Sequence, residues 1–317
     1  MSSLSVITLD RISEALDSLD LLDEMRSAFI AYSSGRAVIP PVGELIIDEQ
    51  PPGEVHIKYG YVRGGAHYVV KIASGFPGNH ELGLPSGNGM MILFDVSTGS
   101  ISSILLDEGQ LTDVRTAAAG ALASSVLGVP DARVGIIGTG VQARLQAVYH
   151  ANALDCDTLM VWGRSLGKCS SLASDLEAHG LTVEIAESID ELAEYCRTIV
   201  TCTASHEPLL KRSMIRPGTH VTAVGSDTPE KQELDSRILG SAGLVVVDSL
   251  SQGLIRGEVA RSIEAGTIIP DQVVELGQVL DGSAPGRLDP DQCTVADLTG
   301  VAVQDLFIAE AVTRSLG

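Results

Sequence analysis

Positive charge is what this 317-residue chain has least of: 21 Lys and Arg stand against 41 Asp and Glu, a formal net charge of −20. Such a surface repels the phosphates of nucleic acid and of anionic membranes, so neither is expected as a partner. An anionic substrate must be drawn in by a local basic pocket, which gives weight to the few Lys and Arg inside predicted strands and turns. Cysteine is scarce and scattered: Cys156, Cys169, Cys196, Cys202 and Cys293 are odd in number and form no Cys-x-x-Cys pair. No His cluster has ligand spacing either, so no metal site is expected. Free thiols in a reducing, cytoplasmic setting are the simple reading. Nothing approaches the run of ~18 apolar residues that a membrane span needs. The N-terminal MSSLSVITLDRISEAL has acidic residues early and no long apolar core, unlike a secretory signal.

What is present is ordinary for a soluble globular protein, with 44% hydrophobic and 20% charged residues. The length calls for two domains with substantial cores. Ile12, Leu16, Leu19, Leu22, Met25, Phe29 and Ile30 give residues 10–35 a helical apolar face. Short β-like segments follow at 44–47, 54–62, 67–72, 90–95 and 100–106, separated by turn residues such as Pro51-Pro52-Gly53 and Arg63-Gly64-Gly65. An Ala-rich helix is expected at 111–127. From Arg133 the pattern changes to strands at 133–137, 157–162, 182–186, 197–203, 219–225 and 243–248. Helices alternate with several of them, at 141–153, 166–178 and 188–195. This predicts an α/β protein with a doubly wound parallel sheet. A last helix at 304–315 follows the loop Asp297-Leu298-Thr299-Gly300 and is placed against the first domain.

The stretch Val-Gly-Ile-Ile-Gly-Thr-Gly-Val-Gln-Ala at 134–143 carries the most chemistry. An apolar strand runs into a Gly-x-Gly-x-x-Ala turn and a helix, the pattern of a dinucleotide-binding Rossmann unit. Gly138 allows the tight turn, Gly140 lets the backbone approach a pyrophosphate, and Ala143 keeps the helix close to the sheet. Thr139, Val141 and Gln142 complete the turn, whose helix N–H groups face the phosphates. Cofactor choice turns on the end of the next strand, Trp162-Gly163-Arg164-Ser165. An Asp or Glu there would hold a ribose 2′-hydroxyl, whereas a nearby Arg accommodates a 2′-phosphate. Arg164, Ser165 and Lys168 therefore favour NADP(H). NAD(H) stays open, because arginine also stacks on adenine.

Four segments, in order, resemble the ornithine cyclodeaminase/mu-crystallin family: VVKIASGFPGNHELGLPSGNGMMILFD (69–95), LLDEGQLTDVRTAAAGALAS (105–124), VGIIGTGVQA (134–143) and VGSDTPEKQELD (224–235). The resemblance runs from about residue 10 to the C-terminus. It implies a Rossmann domain (119–303) beside an N-terminal α+β substrate and dimerisation domain (1–118 with 304–317), and a homodimer assembled through β-strands. It also implies hydride transfer at an amino acid Cα.

Residue by residue, Lys71 falls at the family's active-site lysine and Asp227 at its catalytic aspartate. The two are expected to manage protons at the substrate nitrogen from the two domains. Arg115 matches the carboxylate-binding arginine, whose fork fixes orientation as well as charge. Each also has a structural reading: Lys71 as a snorkelling lysine at a strand edge, Asp227 as a helix cap, Arg115 as a partner of Asp107, Glu108 or Asp113. Thr116, Gly225 and Gly300 match segments beside the cofactor, and Thr203, Ala204 and Ser205, after the fourth strand, line the nicotinamide side. His206 reads as a loop residue. One departure stands out. Many members carry an arginine after the early Pro-containing segment, where this chain reads Pro40-Pro41-Val42-Gly43-Glu44-Leu45. Glu44 there would repel a carboxylate and suit an ammonium group, while Lys58 on the neighbouring strand supplies a replacement charge or serves structure alone.

The first reading is an NAD(P)H-dependent reductase of small α-imino acids, running in reverse as an amino acid dehydrogenase. A cyclodeaminase acting on ornithine or lysine is the second. The third is a mu-crystallin-like protein that binds NADPH and a ligand with little turnover, and the joint presence of Lys71, Arg115 and Asp227 argues against it.

Overall fold

The computed structural model describes residues 4–130 and 133–317, apart from the side chain of His80. The first three residues of the N-terminal segment lie outside the described residues. The chain divides into two compact units, Met1–Arg115 with Val301–Gly317, and Thr116–Gly300.

The first unit contains β1 (Ser5–Ile7), α1 (Leu9–Leu16), α2 (Leu21–Ser33), β2 (Ala37–Val38), β3 (Gly43–Ile47), β4 (Gly53–Val62), β5 (His67–Gly75), β6 (Gly87–Asp95) and β7 (Ile101–Leu105). Helix α3 (Gln110–Leu127) runs on into the second unit. There follow β8 (Val134–Ile137), α4 (Val141–Leu154), β9 (Thr158–Trp162), α5 (Leu166–Glu177), β10 (Thr182–Ile185), α6 (Ile189–Tyr195) and β11 (Thr198–Thr201). Next come β12 (His220–Ala223), α7 (Ser236–Ser241), β13 (Leu244–Val247), α8 (Leu250–Gly253), α9 (Gly257–Glu264), β14 (Val273–Glu275), α10 (Leu276–Asp281) and β15 (Thr294–Asp297). The C-terminal helix α11 (Ala302–Ser315) belongs to the first unit.

In the first unit the sheet order is β1-β7-β6-β5-β4-β2, with β3 also paired to β4. Side chains alternate across such a sheet. The register sets Lys58, Lys71, Met91 and Leu105 in one row, and Val69 beside Leu93 in the next. This is the covered face: α11 packs on β4, β5 and β6 and against α2. Val69, Met91, Leu93, Leu105, Phe29 and Ile308 are buried there. The opposite face has Leu45, Ile57 and Tyr59 exposed, and Tyr68 stacked on Phe94 at 4.7 Å.

The second unit is an eight-stranded sheet in the order β10-β9-β8-β11-β12-β15-β13-β14, with every pairing parallel. Strands β8, β11 and β12 are buried at every residue, as expected where helices cover both faces. Val134 and Ile136 pack with Ala143 and Ala147 of α4 and Leu172 and Leu176 of α5. Ile137 packs with Leu192 of α6 on the other side. The strand order reverses between β8 and β11, and ligands of such sheets bind at the carboxyl ends beside that switch point. Below it, a buried chain of hydrogen bonds from His150 through Ser124 and Thr222 to His220 ties α4 and α3 to the sheet. Burial holds both imidazoles neutral, His150 at about 4 and His220 at about 3.

The doubly wound sheet follows the sequence expectation, with a correction at β15. Asp297, read as part of a loop, is the buried last residue of a central strand between β12 and β13. Strands β1, β2 and β14 and helices α7 to α10 are additions to the elements expected from the sequence.

Candidate active site

In the first unit, Lys71 stands in the middle of β5, hydrogen-bonded between β4 and β6, so it is no edge residue. It is 3% exposed. A strand there is natural, because β-branched residues surround it (Val69, Val70, Ile72) and its own row is apolar toward β6 and β7. Its ammonium donates to Asp305 Oδ1 at 3.2 Å. Arg115, one turn and a half into α3, donates from Nε to the same oxygen, also at 3.2 Å, and from Nη1 to Gln304 Oε1 at 3.3 Å. Asp305 and Gln304 sit in the first turn of α11. Asp305 is fully buried, and its second oxygen, Oδ2, has no hydrogen-bond partner among the described residues. The arginine's partners are thus on the C-terminal helix, in addition to any contribution from the acidic residues near it in sequence.

The charges compete. Burial pulls the Lys71 pKa below its ordinary value, with Arg115 adding to that, while the Asp305 carboxylate pulls the other way. For Asp305, burial favours the neutral acid, but Lys71, then Arg115 and Lys58, outweigh it and hold the carboxyl below its usual range. Asp107, just ahead of α3, accepts from Leu111 N–H at 3.0 Å, and burial raises its pKa. Lys58 is the register partner of Lys71 on β4 and is half-buried. Two residues along that strand, His56 lies 3.5 Å from Glu44 of β3. Neither His56, Gln304 nor Asp305 stood out in the sequence, and Asp107 did so only as a structural partner for Arg115. Asp305 lies 190 positions from Arg115 and 234 from Lys71, and no local pattern marks it.

In the second unit the glycine turn has the form its spacing predicts. Gly138 has φ +144°, and a Cβ on it would lie 2.7 Å from Cys202 Sγ, so no side chain fits. Gly140 caps α4 with nothing within 4 Å of where its Cβ would be. The first-turn N–H groups of α4, from Val141 through Gln142 and Ala143, open onto that space. Ala143 is fully buried against the sheet. Such a cradle fits a pyrophosphate.

At the end of β9, Arg164, Ser165 and Lys168 are exposed, and Ser165 caps α5 by accepting from Lys168 N–H. A Cβ on Gly163 would meet the Thr139 methyl at 2.4 Å, so this loop presses on the glycine turn. After β11, Thr203 donates through both N–H and hydroxyl to Glu233, and Ser205 N–H reaches the Thr203 hydroxyl at 3.3 Å. Ala204 lies between them. His206 touches the Glu230 carbonyl in an exposed loop. After β12 come Gly225 and Asp227. The Asp227 carboxylate is bound by Lys231 at 2.6 Å, and its carbonyl accepts from Arg256 at 3.5 Å; it caps no helix. Gly300, at φ +80°, donates to Asp248, and the Thr116 carbonyl accepts from Gln146 on α4.

Among the described residues no His, Cys, Asp and Glu converge as a metal site, and no helix is long and apolar enough to cross a membrane.

The fold and its glycine turn define the class: a Rossmann protein with a dinucleotide cradle, joined to an α+β unit with a buried cationic cluster. The chain belongs to the ornithine cyclodeaminase/mu-crystallin family, whose profile matches residues 4–316. It is 38% identical to an uncharacterized cyclodeaminase of Sinorhizobium fredii, over 98% of this chain and 95% of that protein. It is 36% identical to the iminosuccinate reductase of Paracoccus denitrificans, over 81% and 80%. The crystal structure of that reductase with NAD+ superposes with a TM-score of 0.87 at 31% identity, covering 98% of this chain and 96% of that one. An archaeal alanine dehydrogenase dimer with bound NAD gives 0.88 at 28% identity, covering 98% and 95%. The Δ1-pyrroline-2-carboxylate reductase of Thermococcus litoralis, with NADH and L-proline, gives 0.91 at 25% identity, covering 98% and 97%.

Gly138→Ala tests the cradle. A left-handed backbone and the Cys202 sulfur both oppose the new methyl, so the variant is expected to lose about 1–3 kcal/mol of stability and most NAD(P)H affinity. Thermal unfolding and nucleotide fluorescence titration measure the two, and unaltered binding would contradict the assignment.

Proposed function

We propose that this protein is an NAD(P)H-dependent reductase of small α-imino acids that runs in reverse as an amino acid dehydrogenase. One observation carries the reading: a buried lysine and a buried arginine share a single carboxylate oxygen. Imine reduction needs a proton donor at nitrogen and a clamp for the α-carboxylate, and these two cations are the right types for both. The relatives that reduce iminosuccinate and pyrroline-2-carboxylate support it by name.

The bound nicotinamide supplies hydride chemistry at the substrate Cα. The backbone from Gly138 to Ala143 holds the pyrophosphate, and Thr203, Ala204, Ser205, Gly225 and Gly300 belong to the loops toward the nicotinamide. Arg164, Ser165 and Lys168 receive a ribose 2′-phosphate, which favours NADP(H) over NAD(H); the strand end lacks the acid that would prefer a free hydroxyl. Arg115 has five N–H donors in a rigid fork, more than its two bonds to Asp305 and Gln304 use, and so orients a substrate carboxylate. Lys71 Nζ gives a proton to the imine nitrogen as the C=N bond becomes C–N. Burial makes the lysine a willing donor, and Asp305 keeps it charged beforehand. Asp227, in the loop after β12, is the second proton-handling group of this reading. Lys58 adds positive charge beside Lys71.

A cyclodeaminase is the second reading. Its specific support is Glu44, a carboxylate beside His56 suited to a distal ammonium group.

A homodimer is the expected assembly. The uncovered face of the first unit's sheet has Leu45 57%, Ile57 37% and Tyr59 40% exposed, an apolar patch that a second copy would cover. Ile57→Glu places a charge on it and is expected to give monomers by analytical ultracentrifugation. A monomeric wild type, or a dimer undisturbed by the charge, would overturn this assembly.

The activity test follows loss of reduced-nicotinamide absorbance with pyruvate or oxaloacetate plus ammonia and with a five-membered cyclic imino acid. Lys71→Ala is expected to lower kcat by roughly 10²–10⁴-fold. Arg164→Ala should raise KM for NADPH about tenfold or more and leave NADH little changed. Ammonia release from ornithine or lysine without net cofactor turnover would move the assignment to the second reading.

A further inference from the structure

Glu233 lies outside the chemistry just described, yet it accepts four hydrogen bonds at the carboxyl end of the second unit's sheet. It is fully buried. Its Oε1 accepts from Thr203 N–H at 2.6 Å and the Thr203 hydroxyl at 2.8 Å. Its Oε2 accepts from the Thr201 hydroxyl and from Gly225 N–H, both at 2.9 Å. One carboxylate therefore joins the end of β11, the loop after it and the loop after β12. These are the two loops that carry Thr203–Ser205 and Gly225–Asp227.

Gly225 shows how closely they are drawn together. A Cβ there would lie 2.2 Å from the Thr203 carbonyl and 2.6 Å from Glu233 Oε2. Two more buried acids hold Glu233 in turn. Glu258 of α9 accepts from Glu233 N–H at 2.6 Å and Leu234 N–H at 3.2 Å, and Asp297 at the end of β15 accepts from Val259 N–H at 2.8 Å. Each carboxylate receives N–H groups outside the strand ladders, from loops for Glu233 and Glu258 and from the first turn of α9 for Asp297. Desolvation is severe enough to push Glu233 up to about 7 despite its four bonds.

We propose that Glu233 is the positioning residue of the nicotinamide end of this site, its carboxylate setting the spacing between the Thr203 loop and the Gly225–Asp227 loop. The proposal rests on the reading that these loops line the cofactor. Glu258 and Asp297 act behind it as a rigid backing that fixes where the Glu233 main chain lies.

Glu233→Gln is the sharp test, because it keeps size and removes only the second acceptor oxygen. Whichever way the amide is turned, its NH2 faces a backbone N–H, of Thr203 or of Gly225, and one loop is released. Three readouts on the full-length protein are compared with wild type. Amide hydrogen exchange at 203–205 or 225–227 should accelerate. The dissociation constant for NADPH or NADH should rise about tenfold or more. In turnover, kcat should fall while KM for the imino acid stays within about twofold, since the carboxylate clamp is on other residues. Thr201→Val removes one hydroxyl bond at constant volume inside β11 and should shift exchange and nucleotide affinity the same way by a smaller factor; it decides the matter if the Gln variant does not fold. Exchange and nucleotide affinity equal to wild type in the folded variants would overturn the proposal. These two readouts need no imine turnover, so an inactive wild type would count against the reductase reading alone.

Discussion

One oxygen atom, Asp305 Oδ1, carries the arrangement of the first unit's site. It takes a hydrogen bond from an ammonium and another from a guanidinium, all three groups buried. Removing one partner from such a buried ionic group typically costs about 3–5 kcal/mol, because a charge is left uncompensated. The cluster is also unbalanced: two cations share one Asp305 carboxylate, with Asp107 near enough to matter and itself shifted toward the neutral acid. In the proposed reading a bound carboxylate supplies what is missing, against a molecule whose net charge of −20 would otherwise repel it. In that reading the same electrostatics prepare the proton donor. Burial loosens the proton on Lys71, Asp305 retains it, and chemistry lies in the difference.

The second unit uses carboxylates for a different end. Glu233, Glu258 and Asp297 take backbone N–H groups at the carboxyl ends of strands, where loops must be irregular to meet a ligand and still rigid enough to place it. A buried acid costs stability through desolvation unless its oxygens are satisfied, and Glu233 is satisfied four times over. Glycine completes the device. Gly138 turns the chain where no Cβ fits, Gly140 leaves open space above the α4 N-terminus, and Gly225 lets two loops meet.

How much of this was legible depended on how local the signal was. The glycine turn spans six residues, so spacing alone reported its geometry, and the alternation of apolar strands with helices reported the doubly wound sheet. Resemblance singled out Lys71, Arg115 and Asp227; it said little of what surrounds them. Asp305 lies 234 positions from Lys71 and 190 from Arg115, and no pattern along the chain links an acid in a C-terminal helix to a lysine in an early strand. Its neighbourhood, Val303-Gln304-Asp305-Leu306, reads simply as one turn of an amphipathic helix. Strand β15 was missed because Thr294–Asp297 has only two apolar residues, Val295 and Ala296, and ends on an Asp that opens an Asp-Leu-Thr-Gly stretch resembling a loop. Its place between β12 and β13 is set by pairing at long range. Glu233 and His56 were invisible for the same reason: each owes its role to what another strand or loop brings beside it.

The central claim is that Asp305 tunes the proton on Lys71. The most direct test is the pH profile of kcat/KM for imine reduction in wild type and Asp305→Asn. In the proposed reaction the protonated lysine is the donor, so activity falls as pH rises through its pKa. Asp305 raises that pKa against the effect of burial, so removing its charge should move the alkaline limb to lower pH. A limb that stays in place, or moves to higher pH, in a variant that remains folded would contradict the account.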